Sequence, residues 1–481
     1  MRHLDFLRAA CALLALGAGL VGCATSPPGA RPVPVEAPVL LVQDGVPVEA
    51  ARGTWRSRGY GLLLSVTAAG LKLHHETAAG CYPDPGGEDS LLASLAYLAP
   101  GTAADALALL GEPGETRYFF QRIPALPAAC EAPVTWTPPR LFDVFAATFT
   151  EQYSFFPEYG VDWKARVTAH RPRVTDATDA RALFGVFTDM LKGLEDAHTG
   201  LIAEVDGEEL AFSEGQGLTT KRVEAEALKN GVPAREAKRA WLGVYRDGIL
   251  QTLLKGAGHH VANQRIFHGR IGDIGYLNVL TMGGVVEGEG SLADERRALK
   301  AALDEALTSF QGARAVIVDV SNNRGGHDAV ARDIAARFAE ARHLAYTKRP
   351  RQVDMAPQPF YVEPATGPRF TGPVYLVTSD VTVSAGEIFT LSMRALPNVT
   401  HVGTPTRGAF SDVLVKPLPN GWRMELSNEL YLDADGKLYE ARGIPPEQPL
   451  DVFPESDLNG GHAKAVLSLV ELAWRGTQSR R

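Results

Sequence analysis

Ser384 lies between an apolar run and a segment with helical spacing, in the stretch TSDVTVSAGEIF. One interpretation is structural: the serine caps the helix, and Glu387 three residues later completes a capping box. The other is chemical, because a nucleophilic serine needs a base to accept its proton, a carboxylate to orient that base, and two N–H groups for the oxyanion. The rest of the chain must distinguish the two.

The residue types that such a reaction needs occur in three other segments. His198 in DAHTG ends a predicted helix, and Glu440 follows a predicted hairpin turn, DADG. The run VIVDVSNNRGGHD ends a predicted buried strand with Gly325 and Gly326, whose N–H groups an anion can approach because no side chain blocks them. Structural interpretations also exist: a helix-end partner for His198, an exposed strand residue for Glu440, and a simple turn for the glycines.

Alternating strand and helix patterns must position these segments. From residue 272 the sequence predicts a strand at DIGYLNVLTM, a helix at SLADERRALKAALDEALTSF, a strand at ARAVIVDV, a helix at HDAVARDIAARFAEA, a strand at PVYLVTS and a helix at AGEIFTLSMRAL. This alternation predicts an α/β fold with a layered sheet-and-helix core. Such cores bind ligands beyond the carboxyl ends of their strands, and Ser384 follows one of those ends.

The regions before this core have different patterns. Short alternating strands predict a small β-domain over residues 50–135, a helical lead-in follows over 136–200, a mostly helical insertion covers 201–268, and the core covers 269–475. The predicted buried positions of the lead-in are Phe142, Phe145, Phe149, Tyr153, Leu183, Phe187, Met190, Leu191 and Leu194.

The N-terminus has the pattern of an export signal. Arg2 and Arg8 flank the start of an apolar stretch that is too short for a permanent membrane span and ends in LVGC. This ending resembles the lipobox of bacterial lipoproteins, which predicts a signal peptide over residues 1–22, lipidation of Cys23, and a Pro-rich tether over 23–49. Because Ala24 rather than Asp follows, the resemblance favours the periplasmic face of the outer membrane in the cell envelope. An ordinary signal peptide cut near Ala24 is the alternative.

The composition excludes some functions and leaves a cysteine pair to explain. A formal net charge of −8 without a basic cluster argues against nucleic-acid binding. His74 and His75 are adjacent but lack a nearby carboxylate and thiolate cluster, so no metal site is predicted, and no organic cofactor is expected. Cys81 and Cys130 remain after the leader in an oxidising compartment, which favours a disulfide over two unpaired thiols.

Together these motifs resemble the tail-specific, or C-terminal-processing, serine protease family over residues 138 to 452. DVSNNRGG matches its Asp-Leu-Arg-Asn-x-Gly-Gly turn, TVSAGEIF its Ser-Ala-x-Glu helix, and GTPTRGAF its Gly-x-x-Thr-x-Gly turn. The resemblance implies a Clp protease/crotonase-like core. Family members often carry a PDZ domain at the place of the predicted helical insertion, and no carboxylate-binding loop of that type is found here.

The departures from the family pattern select one of its branches. The branch with a Ser-Lys dyad has a lysine where this chain has Ala409, and Lys416 beyond that turn is predicted to be a solvated surface residue. DAHT and YEARGIPP instead match the Ser-His-Glu branch, which is similar to tricorn-core and interphotoreceptor-retinoid-binding proteins. This resemblance implies that Ser384 is the nucleophile, His198 the base and Glu440 its orienter. It also implies an oxyanion hole formed by the N–H groups of Ala385 and of Gly325 or Gly326.

The sequence therefore predicts a cell-envelope serine peptidase that hydrolyses protein or peptide substrates through an acyl-enzyme at Ser384. It would be anchored to the membrane by an N-terminal lipid. The alternative is a non-catalytic protein on the same fold, either a binding protein for an apolar ligand or an envelope scaffold. The sequence leaves the substrate and the oligomeric state open.

Overall fold

The computed structural model describes residues 37–101, 103–288 and 290–478, with side chains as far as residue 475. The predicted signal peptide, Cys23 and most of the tether lie outside these residues. Within the described ranges, no helix combines the length and apolar character needed to cross a membrane.

The N-terminal β-domain is an antiparallel sheet of eight strands in the order β1-β8-β9-β10-β4-β5-β6-β7, beside a two-stranded hairpin of β2 and β3. Its strands are β1 (Val39–Leu40), β2 (Val42–Gln43), β3 (Val46–Pro47), β4 (Gly53–Ser57), β5 (Leu62–Thr67), β6 (Gly70–Thr77), β7 (Gly80–Pro83), β8 (Tyr97–Leu98), β9 (Ala106–Leu110) and β10 (Tyr118–Ile123), and helix α1 spans Gly87–Ser94. A disulfide joins Cys81 to Cys130, with an S–S distance of 2.06 Å.

The β-domain begins earlier than the sequence predicted. Strand β1 pairs with β8 and Leu41 is fully buried, so the end of the predicted tether belongs to the folded domain. A strand of two residues shows no readable alternation, and its pairing depends on a partner almost sixty residues away along the chain.

The helical lead-in comprises α2 (Pro138–Gln152), α3 (Trp163–His170) and α4 (Ala180–Leu191). All nine predicted buried positions are buried, and the rings of Phe145 and Phe187 stack with centroids 4.1 Å apart. One apolar cluster continues from Trp55 of the β-domain through these helices to Met424 and Leu426 of the core, so the β-domain packs firmly against the rest of the chain.

Residues 201–268 are helical only in their middle. Helices α5 (Leu218–Lys229) and α6 (Ala234–Asp247) and a π-helical segment (Gly248–Leu253) follow the hairpin of β11 (Gly200–Val205) and β12 (Glu208–Ser213), and they precede β13 (His259–Val261) and β14 (Ile266–Ile271). Thus the prediction of a mostly helical insertion missed strands at both ends. Asp206 and Gly207 have φ values of 56° and 78°, and an Asp-Gly pair between alternating residues is a hairpin signal that could have identified β11 and β12.

The core sheet has seven strands in the order β13-β14-β15-β16-β19-β20-β24, and it is parallel from β15 onward. The remaining strands are β15 (Ile274–Val279), β16 (Ala315–Asp319), β17 (His343–Pro350), β18 (Gln358–Val362), β19 (Val374–Thr378), β20 (Val399–Gly403), β21 (Val413–Pro417), β22 (Arg423–Ser427), β23 (Glu429–Asp433) and β24 (Gln448–Pro449). The remaining helices are α7 (Leu292–Ser309), α8 (Asp328–Ala335), α9 (Ala385–Arg394) and α10 (Gly461–Gln478). These elements confirm the predicted α/β class and its order of strands and helices.

Two smaller antiparallel sheets flank the core sheet, in the orders β12-β11-β22-β21 and β18-β17-β23. The first of them joins the hairpin that follows His198 to β21 and β22, which come after Ser384. The loops at the carboxyl ends of β16 and β19, where ligands are expected in such sheets, carry the Gly-Gly turn and Ser384.

Candidate active site

Ser384 occupies a strained backbone position immediately before α9. Its φ and ψ angles are 58° and −129°, a region that residues with a side chain rarely adopt. Its N–H group donates to the Ala409 carbonyl at 3.1 Å and lies 3.3 Å from Glu387 Oε2, so neighbouring groups hold the strained conformation. Strained conformations of this kind cluster at functional sites, and the contact of Glu387 with the Ser384 N–H is also the one expected of a capping box.

The Gly-Gly turn faces Ser384 directly. Gly325 and Gly326 have φ values of 81° and 138°, and a Cβ atom added to Gly325 would lie 2.7 Å from Ser384 Cβ. The Gly325 N–H donates to Asn323 Oδ1 at 2.9 Å, whereas the N–H groups of Gly326 and Ala385 have no acceptor among the described residues. Two N–H groups are therefore free beside the serine, and the sequence could not tell Gly326 from Gly325.

Asn323 and Glu387 support the site in ways that sequence reasoning missed. The amide of Asn323 receives the Gly325 N–H and donates to the Val279 carbonyl, which fixes the turn to β15. Glu387 is fully buried and accepts the N–H groups of Gly408 at 2.6 Å and Ala409 at 2.8 Å. Burial raises the pKa of Glu387 to about 7, although these donors oppose the rise. An Asn two residues before the glycines was the available signal for an Asx turn.

His198 lies in a loop that Asp196 organises. The fully buried Asp196 accepts the His198 N–H at 2.9 Å and the Tyr153 hydroxyl at 2.9 Å. Burial lowers the pKa of His198, and the negative charge of Asp196 partly opposes this effect. The imidazole is thus neutral near pH 7, and its Nδ1 atom is buried without a hydrogen-bond partner.

Glu440 is fully buried close to the same loop. Its Oε2 atom accepts the Phe410 N–H at 3.1 Å, while its Oε1 atom has no hydrogen-bond partner among the described residues. Burial raises the pKa of Glu440 well above its ordinary value, and the charges of Asp196 and Glu387 add to the rise. A neutral Glu440 is therefore favoured when no cation is near.

The segment from Ala409 to Ser411 brings the three predicted catalytic residues together. Ala409 contacts Ser384, Phe410 contacts Glu440, and the Ser411 backbone acts on the pKa of both His198 and Glu440. Within the described residues, however, no hydrogen bond links the three side chains to one another. Catalytic hydrogen bonds in ligand-free sites are often long or poorly aligned and tighten when substrate binds.

A cleft of about 210 Å³ opens beside this segment. Its walls include Ala197 and Val383, which directly precede His198 and Ser384, and the stretch from residue 213 to 217. Three cationic side chains line it, Arg324, Lys238 and Arg407. Arg407 donates to the carbonyls of Gly215 and Glu195, which fastens the hairpin end to the loop after β20.

Lys416 is not the solvated residue that the sequence predicted. It is fully buried in β21, and its Nζ atom donates to the carbonyls of Tyr60 at 2.7 Å and Gly61 at 3.0 Å. Burial lowers the pKa of Lys416 to about 7. The prediction was wrong because the β-domain covers this face of β21, which a local pattern cannot reveal.

The other histidines take separate positions. His75 is buried and pairs with Asp84 at 2.7 Å, and His74 is buried on the neighbouring position of β6. His327 is exposed, directly follows Gly326, and donates its backbone N–H to the Met282 carbonyl at 2.7 Å. Among the described residues there is no group of three or more His, Cys, Asp or Glu side chains arranged to hold a metal ion.

Comparison with known proteins places this core among peptidases. Residues 273–450 match the model of peptidase family S41, a range that includes Ser384, the Gly-Gly turn and Glu440 but not His198. A crystal structure of a candidate peptidase from Parabacteroides merdae ATCC 43184 is 24% identical with a TM-score of 0.55, covering 70% of this chain and 97% of that one.

Two further solved structures align with this chain. Mature CPAF complexed with lactacystin is 11% identical with a TM-score of 0.51, covering 72% of this chain and 99% of its own. The photosystem II D1 C-terminal processing protease is 13% identical with a TM-score of 0.41, and the alignment covers 68% of this chain and 97% of that one. The structures with TM-scores above one half share the α/β core described above.

Proposed function

We infer that this chain, whose core matches peptidase family S41, is a serine-type peptidase that cleaves peptide bonds through an acyl-enzyme at Ser384. The observation that carries this proposal is the strained Ser384 facing a Gly-Gly turn, with the N–H groups of Gly326 and Ala385 free beside it. A helix cap requires neither the strain nor the free donors.

The proposed reaction uses these residues in the following order. Ser384 Oγ attacks the scissile carbonyl while His198 accepts the hydroxyl proton. The carbonyl oxygen becomes an oxyanion that receives hydrogen bonds from Gly326 and Ala385, and collapse of this intermediate expels the amine, to which His198 returns the proton. Water then attacks the acyl-enzyme with His198 again as base, releasing the new carboxylic acid and restoring Ser384.

Glu440 orients the base in this proposal. His198 Nδ1 and Glu440 Oε1 are both buried and both lack a partner in the described chain, so a hydrogen bond between them would satisfy each. The positive charge that develops on His198 during catalysis would also lower the pKa of Glu440 and favour its ionised form. Substrate entry into the neighbouring cleft, which displaces water, would favour this alignment.

A reactive-serine probe tests the assignment of Ser384. A fluorophosphonate should label the folded protein at Ser384, as determined by mass mapping of the labelled peptide, and should not label urea-unfolded protein. Ser384→Ala should remove the label, and Ser379→Ala, which changes a buried serine five residues earlier, is the matched control. An unlabelled Ser384 together with tight binding of an apolar ligand would favour the non-catalytic alternative.

We also propose that the protein is anchored at the cell envelope through lipid on Cys23. This rests on the sequence signal, and the Cys81–Cys130 disulfide supports an oxidising compartment. Cys23→Ser should move the protein from the membrane fraction of bacterial cells to the soluble periplasmic fraction. Retention of that variant in the membrane fraction would contradict a lipid anchor at this position.

A further inference from the structure

A charged cluster lies where the β-domain meets the core, outside the residues of the proposed reaction. At its centre is Lys348 of β17, whose side chain is completely buried. Its Nζ atom lies 2.7 Å from Asp412 Oδ2, 2.6 Å from the Tyr431 hydroxyl, 3.6 Å from Glu429 Oε2 and 3.7 Å from Asp328 Oδ2. These five residues are called the Lys348 cluster below.

Two of the carboxylates extend directly from segments that form the site. Asp328 is the first residue of α8 and lies two residues after Gly326. Asp412 follows Ser411, at the end of the segment that contacts Ser384, Glu440 and His198. Lys348 contacts Asp412 and donates to Tyr431, which in turn donates to Asp328 at 3.1 Å, so one ammonium group links both sides of the site.

The β-domain supplies hydrogen bonds to the same acids. The Tyr60 hydroxyl donates to Glu429 Oε1 at 2.6 Å, and the Thr116 hydroxyl donates to Asp412 Oδ2 at 2.9 Å. Beside them, Glu115 Oε1 accepts the Ala329 N–H at 3.3 Å, at the start of α8. The described structure therefore connects the β-domain to both segments that flank Ser384.

The acids around Lys348 outnumber the cations, so the positive charge of Lys348 is needed to balance them. The cations facing the cluster are Lys348 and Arg332, and the acids are Asp328, Asp412, Glu429 and Glu115. Burial lowers the pKa of Lys348, but the surrounding carboxylates outweigh this effect and raise the pKa well above its ordinary value. Lys348 thus stays charged. Burial raises the pKa of Asp328 and of Glu429 to about 7, so without Lys348 these two acids would take up protons, and Asp412 would lose the ammonium group that joins it to Tyr431 and Asp328.

We propose that Lys348 is a positioning residue for the peptidase reaction, and that the β-domain completes this function through Tyr60 and Thr116. The inference rests on the proposed function of Ser384 and extends the working site to a domain outside the matched family region. Lys348 contacts no reacting atom. It acts by holding the Gly326 N–H and the 409–411 segment in register, since small misplacements of catalytic groups cost large factors in rate.

Mild substitutions in the β-domain test this inference. Tyr60→Phe and Thr116→Val each remove one hydroxyl from the Lys348 cluster, and each should lower kcat of peptide hydrolysis about ten-fold with KM nearly unchanged. Tyr82→Phe is the matched control, because its hydroxyl also crosses the domain interface but donates to the Pro417 carbonyl, at 2.8 Å. This control should keep wild-type kcat.

Thermal midpoints and Ser384 labelling rates measured on the same variants separate the possible outcomes. A merely structural role would lower the midpoint and leave kcat per folded molecule unchanged, which would overturn the inference. Wild-type rates of fluorophosphonate labelling in Tyr60→Phe and Thr116→Val would overturn it as well, while the proposed function would stand. Absence of labelling in the wild-type protein would overturn the proposed function, and the inference with it.

Lys348 itself provides a second measurement. Lys348→Met should lower kcat more than either hydroxyl variant, and Lys348→Arg should recover part of the loss because the positive charge is kept. If Lys348→Met does not fold, the Tyr60 and Thr116 variants decide the question alone. Equal kcat values for the Met variant and the wild-type protein would contradict a positioning role.

Discussion

Two buried lysines lie at the interface of the β-domain with the core, and their surroundings give them opposite protonation behaviour. Lys348 faces three carboxylates, which raise its pKa well above the ordinary value although burial opposes them. Lys416 faces the carbonyls of Tyr60 and Gly61, and burial lowers its pKa to about 7 because the charges of Asp84 and Glu151 compensate only in part. Burial alone therefore does not determine whether a lysine is charged. The charge of the groups that contact its ammonium decides it as well.

The two regions also differ in what they touch. The Lys348 cluster continues into the segments around Ser384, whereas Lys416 binds backbone carbonyls of the β-domain and contacts no proposed catalytic side chain among the described residues. A neutral lysine has two N–H donors, which matches the two carbonyl acceptors of Lys416. The proposed positioning role therefore concerns only the first region, while the contacts of Lys416 join the β-domain to β21.

The largest expected effect on activity is that of Ser384→Ala, and the effects of the lysine variants can be compared with it. Ser384→Ala should abolish measurable peptide hydrolysis, a loss of about 10⁴-fold or more, because the covalent pathway is removed. The thermal midpoint should stay close to that of the wild-type protein. Continuous peptidase assays and calorimetry on the same samples check both, and full activity of the variant would exclude Ser384 as nucleophile.

Lys348→Met should have the largest effect on stability. Removing the buried ammonium group leaves Asp412 without its partner, and the Asp412 side chain is 39% exposed, so we expect the free energy of unfolding to fall by about 3 kcal/mol, the lower end of the range for a buried pair. Denaturant unfolding measures the change, and Lys348→Arg is the control that keeps the charge. A loss no greater than that of Lys416→Met would remove the distinction between the two regions.

Lys416→Met should lower the free energy of unfolding less than Lys348→Met does, and it should leave kcat per folded molecule unchanged. Two carbonyls lose their donor, which should lower the free energy of unfolding by about 1 to 3 kcal/mol. Between the folded pKa of about 7 and the unfolded value of 10.5, the unfolded chain binds more protons at Lys416. The contribution of Lys416 to stability therefore increases as pH rises through this window. The Met variant should lack this increase, and an identical pH dependence in both proteins would contradict a neutral Lys416.

The smallest expected effect is a shift in the pH profile of catalysis. Because only neutral His198 can accept a proton, the rate should fall as pH drops through its pKa, which burial places below the ordinary 6.5. The charge of Asp412 raises this pKa, so Asp412→Asn should move the acidic limb of kcat/KM to lower pH by a fraction of a unit.

Asp84→Asn is the matched control for that shift, since of the two acids that act on Lys416, Asp84 has the larger effect on its pKa. Asp84→Asn should leave the acidic limb of the kcat/KM profile at the same pH as in the wild-type protein. Equal shifts for Asp412→Asn and Asp84→Asn would show that the change is not specific to the Lys348 region.

The sequence was sufficient for the order of the core elements and for the catalytic candidates. Helices α7, α8 and α9 show a 3.6-residue period of apolar residues, and β16 and β19 are short, nearly continuous apolar runs. Both are local patterns that need no knowledge of distant contacts. The junctions at Ser384 and at the Gly-Gly turn were equally visible because strand ends and glycine pairs are local features.

Tertiary structure decided the features that depend on contacts between distant parts of the chain. Lys416 and Tyr60 are 356 residues apart, and no local pattern indicates that the β-domain covers that lysine. The choice of Gly326 over Gly325 depends on where the Asn323 amide points, and the charge of Lys348 depends on acids from three separate elements. Hydrogen-bond partners and desolvation are properties of the assembled fold, so the sequence by itself determined which groups could react, and only packing determined their protonation and support.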